Sequence, residues 1–325
     1  MIALKEPKRS RKGGPTSTAG RPIRWCAEAP ASTSNLGPGF DCLGLALQLR
    51  MRVVAERIPS GFSIRRLGEG RDLAIDPHHD KLLGAFRHLF RLARAPVPTV
   101  AVTIRSQIPL SRGLGSSAAA IVAGLKLANH WLGDSFTPEE LFREAIRLEG
   151  HPDNVAPSLF GGLTLSMPRI DGSVEALHLH VPRGLALTLA VPVIRVSTEE
   201  ARALLPSSLP LRYAVGNTAR ALALQYALSS HRFELLAEAL RDVYHVPYRA
   251  RLIPGFDRVV EAGRRAGAYG VTISGSGPTL LAFHAPELGT QIGEAMVRAF
   301  ARHRVQARAI PGRIAAKGAI ARTLL

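Results

Sequence analysis

The stretch Pro109-Leu110-Ser111-Arg112-Gly113-Leu114-Gly115-Ser116-Ser117-Ala118-Ala119 decides how the rest of the chain is read. Its glycines let the backbone turn tightly and come close to a ligand. A small-residue apolar run, Ser116 to Leu132, follows and is closed by Gly133, which predicts a buried helix with its N-terminus on the glycine loop. Such a terminus presents free N–H groups and the positive end of a helix dipole to an anion. Ser116 and Ser117 add hydroxyls for phosphate oxygens or a magnesium ion, and Ala118 to Ala120 keep the first turn slim. The segment has neither the Gly-Lys-Ser/Thr of a Walker A loop nor G-x-G-x-x-G spacing. Alone, it also reads as a tight turn onto a buried helix.

Upstream, Val100 to Ile104 alternates as a strand should. Arg24 to Ala31 reads as a short strand, Ser32 to Phe40 as a Ser/Asn/Gly/Pro loop, and Leu43 to Leu49 as an apolar run. Downstream, Thr137-Pro138-Glu139-Glu140 has the cap, the first-turn proline and the Glu of a capping box, for a helix running to Glu149 and stopping at Gly150. Strands are expected at Leu163–Met167, Leu185–Val193, Gly270–Ser274 and Thr279–Phe283. Helices are expected at Ser197–Leu205, Asn217–Leu228, Phe233–Val243, Phe256–Ala266 and Gly289–Arg302, and a glycine turn at Gly275–Pro278. Strands and helices mix without an internal repeat, so the fold class is two-layer α+β.

The 325 residues suit two domains, and 46% hydrophobic residues suits a soluble globular chain. No run reaches the roughly 18 apolar residues of a membrane helix. Cys26 and Cys42 form no C-x-x-C pair, which argues against a zinc site or a disulfide framework and for reduced thiols in a cytoplasmic protein. The net charge of +17 suggests a polyanion partner, but only six of the 42 basic residues are lysines (Lys5, Lys8, Lys12, Lys81, Lys126, Lys317). That arginine bias is of the kind genome composition produces, and 6% aromatic residues is thin for base stacking. Residues 1–23 read as a disordered basic tail without the apolar run of a secretory signal.

Three separated blocks together resemble the GHMP kinases: Ala29-Pro30-Ala31-Ser32-Thr33-Ser34-Asn35-Leu36-Gly37-Pro38-Gly39-Phe40-Asp41, the loop from Pro109 to Ala119, and Ile273-Ser274-Gly275-Ser276-Gly277-Pro278-Thr279. Further blocks are similar to the homoserine-phosphorylating branch of that family: Glu149-Gly150-His151-Pro152-Asp153-Asn154-Val155-Ala156-Pro157, Ser197-Thr198-Glu199-Glu200-Ala201-Arg202 and Tyr248-Arg249-Ala250-Arg251-Leu252-Ile253-Pro254. The resemblance implies an ATP-binding N-terminal domain like ribosomal protein S5 domain 2 (residues 24–166) and a ferredoxin-like C-terminal domain (167–325). It also implies ATP and magnesium in the cleft between them, often a homodimer, and L-homoserine phosphorylation in threonine biosynthesis.

Phosphoryl transfer asks for positioning and charge stabilisation more than for covalent help. The resemblance implies that Pro109 to Ala119, with Gly275, Ser276 and Gly277, bind the nucleotide and that Ser117 and Glu149 hold magnesium, a hard cation that takes oxygen ligands. A glutamate in the last helical turn is poorly placed against the dipole unless it has such a task. Homoserine carries an ammonium, a carboxylate and a primary hydroxyl. Asp41 suits the ammonium, with Asn35 beside it, and Arg202 and Arg249 offer forks that match a carboxylate. Thr198 and His151 are implied nearby. Many relatives have an aspartate base where this chain has Asn154, which implies direct attack by a hydroxyl that Asn154 orients; Asp153 is the competing base. Other readings are a kinase for mevalonate, shikimate or a sugar-like alcohol, and a non-catalytic nucleotide- or nucleic-acid-binding protein.

Overall fold

The computed structural model describes residues 23–324, so the expected basic tail lies, but for Ile23, outside the described residues. Strands are β1 (Arg24–Asn35), β2 (Gly39–Arg57), β3 (Phe62–Gly68), β4 (Val100–Ser106), β5 (Leu163–Pro168), β6 (Val174–Leu179), β7 (Ala186–Pro192), β8 (Gly270–Ile273), β9 (Leu280–His284), β10 (Ala307–Gly312) and β11 (Ile320–Leu324). Helices are α1 (Lys81–Leu92), α2 (Ser116–Trp131), α3 (Pro138–Glu149), α4 (Val155–Phe160), α5 (Thr198–Ala203), α6 (Leu211–Ser229), α7 (Leu236–Ala239), α8 (Val246–Arg249), α9 (Phe256–Arg265) and α10 (Gly289–Arg302).

A seven-stranded sheet runs β11-β1-β2-β4-β3, and β5 adds to the first half of β2 and carries β6. All its pairs are antiparallel except β3–β4, which α1 joins as a crossover. A second, four-stranded antiparallel sheet runs β10-β7-β9-β8 against α9 and α10. The division expected at 166/167 falls inside β5. The first sheet extends to Leu179 and takes back the last strand, because β5 pairs with β2 at Leu43–Leu45 and β11 with β1 at Arg24–Glu28.

Helix α2 is the buried element that the small residues predicted. Ala118, Ala119, Val122, Ala123 and Leu127 are fully buried between α1 and the sheet. A side chain at Gly124 would meet the Leu82 carbonyl oxygen at 2.3 Å, so the two helices pack backbone against backbone there. The capping box of α3 forms as expected, and Gly150 ends the helix at φ 93°.

Several local expectations change. Ser32 to Asn35 continue β1 rather than forming a loop, and the expected helix at 233–243 shrinks to a 3-10 turn and α7. Helix α6 begins at Leu211, six residues before Asn217. Helix α1 was not anticipated, although Asp80 caps it and Leu82, Leu83, Phe86, Leu89 and Phe90 repeat with its period.

Candidate active site

The end of β1 explains how two sheets build one site. Ser32, Thr33, Ser34 and Asn35 are at most 2% exposed. A buried polar run survives only when its groups are bonded. Alternate residues of a strand face opposite ways, and here both faces are used. On one face, Ser32 Oγ donates to Asn154 Oδ1 (2.8 Å) and Ser34 Oγ accepts from Asn154 Nδ2 (2.9 Å). On the other, Thr33 Oγ1 lies 2.8 Å from Ser274 Oγ, and Asn35 Nδ2 donates to the Gly275 carbonyl (2.9 Å). Ser274 Oγ also donates to the Gly113 carbonyl (2.7 Å). The loop from Pro109 to Gly115, the start of α4 and the Gly275 turn therefore meet on four consecutive side chains.

They enclose a cleft of about 460 Å³. Gly113 and Gly115 hold φ of 71° and 66°. A side chain at Gly113 would strike the Ser274 carbonyl oxygen at 2.1 Å, and one at Gly115 the Ser32 hydroxyl at 2.0 Å. No side chain caps α2, so its first-turn N–H groups face the cleft mouth free. Leu110, Ser111, Arg112, Leu114, Ser116, Ser117, Gly275 and Ser276 line the cleft, but Pro109, Ala118, Ala119 and Gly277 do not. Ala118 and Ala119 turn into the core, and Gly277 backs onto Ile253 and Ile273. The Arg112 guanidinium is committed to carbonyls, donating to Pro192 (2.8 Å), Val193 and Leu110, and so ties the loop to the end of β7.

At the foot of α2 the Ser117 hydroxyl donates to Glu149 Oε2. Lys81 Nζ lies 2.6 Å from Ser117 Oγ and 3.4 Å from Glu149 Oε2. Two hard oxygens that already hold an ammonium fit a magnesium ion, and with no cluster of three or more His, Cys, Asp or Glu among the described residues, its other ligands would be phosphate and water. Lys81 itself escaped the sequence reading; its place at the start of α1, directly after the cap Asp80, was the available signal.

Asp153 is 3% exposed, and its Oδ1 lies 2.8 Å from His151 Nδ1 and accepts from Asn154 Nδ2 (3.2 Å). Burial pushes the Asp153 carboxyl up, but the hydrogen bond and charge of His151, the Ser34 hydroxyl and Arg202 together hold it below its ordinary value. Burial pulls His151 down, and Asp153, then Glu149, outweigh that and raise it. Each group favours the charged form of the other.

Across the cleft, Arg202 on α5 grips Asp41 with both fork nitrogens, Nη1 to Oδ2 at 2.9 Å and Nη2 to Oδ1 at 2.6 Å. The two residues expected to take opposite ends of a zwitterion hold each other. Arg249 on α8 is 2% exposed and donates to the Gly275 carbonyl (3.1 Å), and its Nε has no partner. Burial, then the charge of Arg202, lowers its pKa to about 10. Asn35 lines the cleft, and its Oδ1 also accepts from the Asp41 N–H (3.0 Å). Thr198 lines the cleft at the first turn of α5.

The family profile for the GHMP kinases N terminal domain matches residues 80–162, and that for the GHMP kinases C terminal domain matches 224–302. A homoserine kinase of Carboxydothermus hydrogenoformans is 41% identical over 296 residues, 91% of this chain and 96% of its own. One of Gloeobacter violaceus is 43% identical over 282 residues, 83% of this chain and 91% of its own. The crystal structure of a homoserine kinase from Cytophaga hutchinsonii superposes with a TM-score of 0.83 at 29% identity, covering 95% of this chain and all of that one. The mevalonate kinase of L. major, solved with R-mevalonate, shares the fold at a TM-score of 0.65 and 17% identity, over 91% of this chain and 97% of its own.

Proposed function

The chain belongs to the GHMP kinase family, beside its homoserine kinases, and from that premise we propose that it transfers the γ-phosphoryl group of ATP to the side-chain hydroxyl of L-homoserine. The observation that carries the acceptor is one cleft holding Asp41, Arg202 and the buried Arg249 opposite an uncapped phosphate-binding helix start. A zwitterion satisfies such a set, its ammonium taking Asp41 and its carboxylate Arg202 and Arg249. Mevalonate and shikimate lack an ammonium and would leave Asp41 without an exchange partner.

The homoserine oxygen attacks the γ-phosphorus, the bond to the ADP oxygen breaks, and the hydroxyl proton passes to a phosphate oxygen, giving O-phospho-L-homoserine and ADP. The α2 N–H groups and the loop from Ser111 to Ser117 hold the phosphates. Ser117 and Glu149 would hold Mg²⁺, whose charge offsets that of the phosphates when it is bound. Asn154, fixed by Ser32, Ser34 and Asp153, orients the hydroxyl. Asp153 is a poor base because it is ionised below its ordinary pKa and paired with His151, which it positions together with Asn154.

No helix among the described residues is long and apolar enough to cross a membrane, Cys26 and Cys42 are unpaired, and we place the enzyme in the cytoplasm. A homodimer is proposed on the family resemblance, and light scattering at one chain mass would end that idea. The deciding assay is ADP release from MgATP with L-homoserine, mevalonate, shikimate and galactose. Turnover confined to L-homoserine is expected; turnover with another acceptor would overturn the pocket reading while keeping the ATP site.

A further inference from the structure

Successive residues of a strand face opposite sides, so Phe40 and Asp41 should not serve one partner. They do. Asp41 holds the Arg202 guanidinium by two hydrogen bonds, and the Phe40 ring lies under that guanidinium, 5.5 Å from Cζ to ring centroid. The cause is local. Asp41 sits at φ 57°, in the left-handed region, and the Asn35 side chain holds its N–H there. Non-glycine residues rarely adopt that conformation unless the surroundings enforce it, and such positions gather at functional sites.

The same ring carries the second cation. Arg249 Cζ lies 5.2 Å from the Phe40 centroid. Both distances fall within the roughly 6 Å over which a ring face attracts a cation. Two guanidiniums close together repel, and Arg202 is among the causes that weaken the charged form of Arg249. Attraction to one aromatic ring offsets that repulsion without using any of the N–H groups that a carboxylate needs. The ring also packs against Tyr244, T-shaped at 4.9 Å, and His245 at 5.3 Å. Those residues lie in the segment that Asp242 anchors by accepting the N–H groups of Tyr244, His245 and Val246, just before Arg249.

We propose that Phe40 is a specificity-determining positioning residue: its ring steadies both Arg202 and Arg249 as a two-guanidinium clamp for the carboxylate of the amino-acid acceptor. This rests on the homoserine reading above. Phe40→Leu keeps an apolar side chain and removes the ring; Phe40→Tyr keeps the ring; Phe40→Met fills the space if the leucine variant does not fold. Steady-state KM for homoserine and for ATP is measured on these and on Arg202→Ala and Arg249→Ala. The expected result is a homoserine KM raised about tenfold in the leucine or methionine variant. The ATP KM should stay within about twofold of wild type, and the tyrosine variant should restore the homoserine KM. A merely structural ring would move both KM values together. An unchanged homoserine KM in the leucine and methionine variants, or a tyrosine variant as impaired as they are, overturns the role of Phe40 while the arginine variants still report the clamp. If the arginine variants also leave the homoserine KM unchanged, the acceptor reading itself falls and takes this proposal with it.

Discussion

In the proposed mechanism Asn154 orients the acceptor hydroxyl and the adjacent Asp153 positions Asn154. Asn154→Ala removes the amide that orients the nucleophile, and kcat should fall on the order of 100-fold, the scale of losing one preorganised group. Asp153→Asn should be milder in kcat. Turnover abolished in Asp153→Asn with homoserine still bound, beside a nearly normal Asn154→Ala, would make Asp153 the base. The pair with His151 also sets a pH dependence. A raised histidine pKa means its stabilisation is complete below the ordinary value near 6.5 and is lost as pH rises through the raised one. The lowered Asp153 pKa means the opposite loss, as pH falls through the depressed value. Imidazole NMR should show His151 titrating above 6.5, and below it in Asp153→Asn, where burial is left to dominate; an unmoved midpoint would contradict the pair. The motif blocks made these residues legible. Their bonding was not, because Ser32 and Ser34 lie 120 or more residues from Asn154 and the burial that makes their bonds necessary belongs to the folded chain. The mutual grip of Asp41 and Arg202 was hidden for the same reason.

Among elements, α2 and α3 were the most legible because their signals are local: small residues after a glycine loop, and a capping box ended by glycine. Helix α3 also delivers Glu149 to the Ser117 hydroxyl from its last turn. Thr137→Ala should cost about 1 kcal/mol in denaturant unfolding, the usual worth of such a cap. A cost near zero would mean that packing alone holds the helix. Gly113→Ala tests the loop differently. Its side chain would collide with backbone at 2.1 Å, so the loop must leave the Gly275 turn, and the ATP KM should rise by about tenfold or more. An unchanged ATP KM would show that the loop does not need that contact. The strands missed in sequence, β3, β6, β10 and β11, are short and their residues half-exposed or exposed, leaving weak alternation to read.

At the scale of the molecule, the site exists only where two sheets are closed on each other, and the last strand closes the sheet that holds the first. Removing residues 313–325 should destabilise the protein by more than about 2 kcal/mol in denaturant unfolding, because β1 loses a whole partner strand. A truncated chain with wild-type stability would show that β11 only decorates the edge. The register Glu28 to Ile320 joins residues about 290 apart, so one edge of β1 waits while the ribosome makes the residues between them. At ordinary synthesis speeds that wait is roughly 15 to 60 seconds. An open strand edge invites wrong pairing, and Arg24 and Glu28 put charge along it for that interval. A chain broken off before Ile320 leaves this edge unsealed and open to a strand of a neighbouring molecule, so β11 also guards β1 against aggregation.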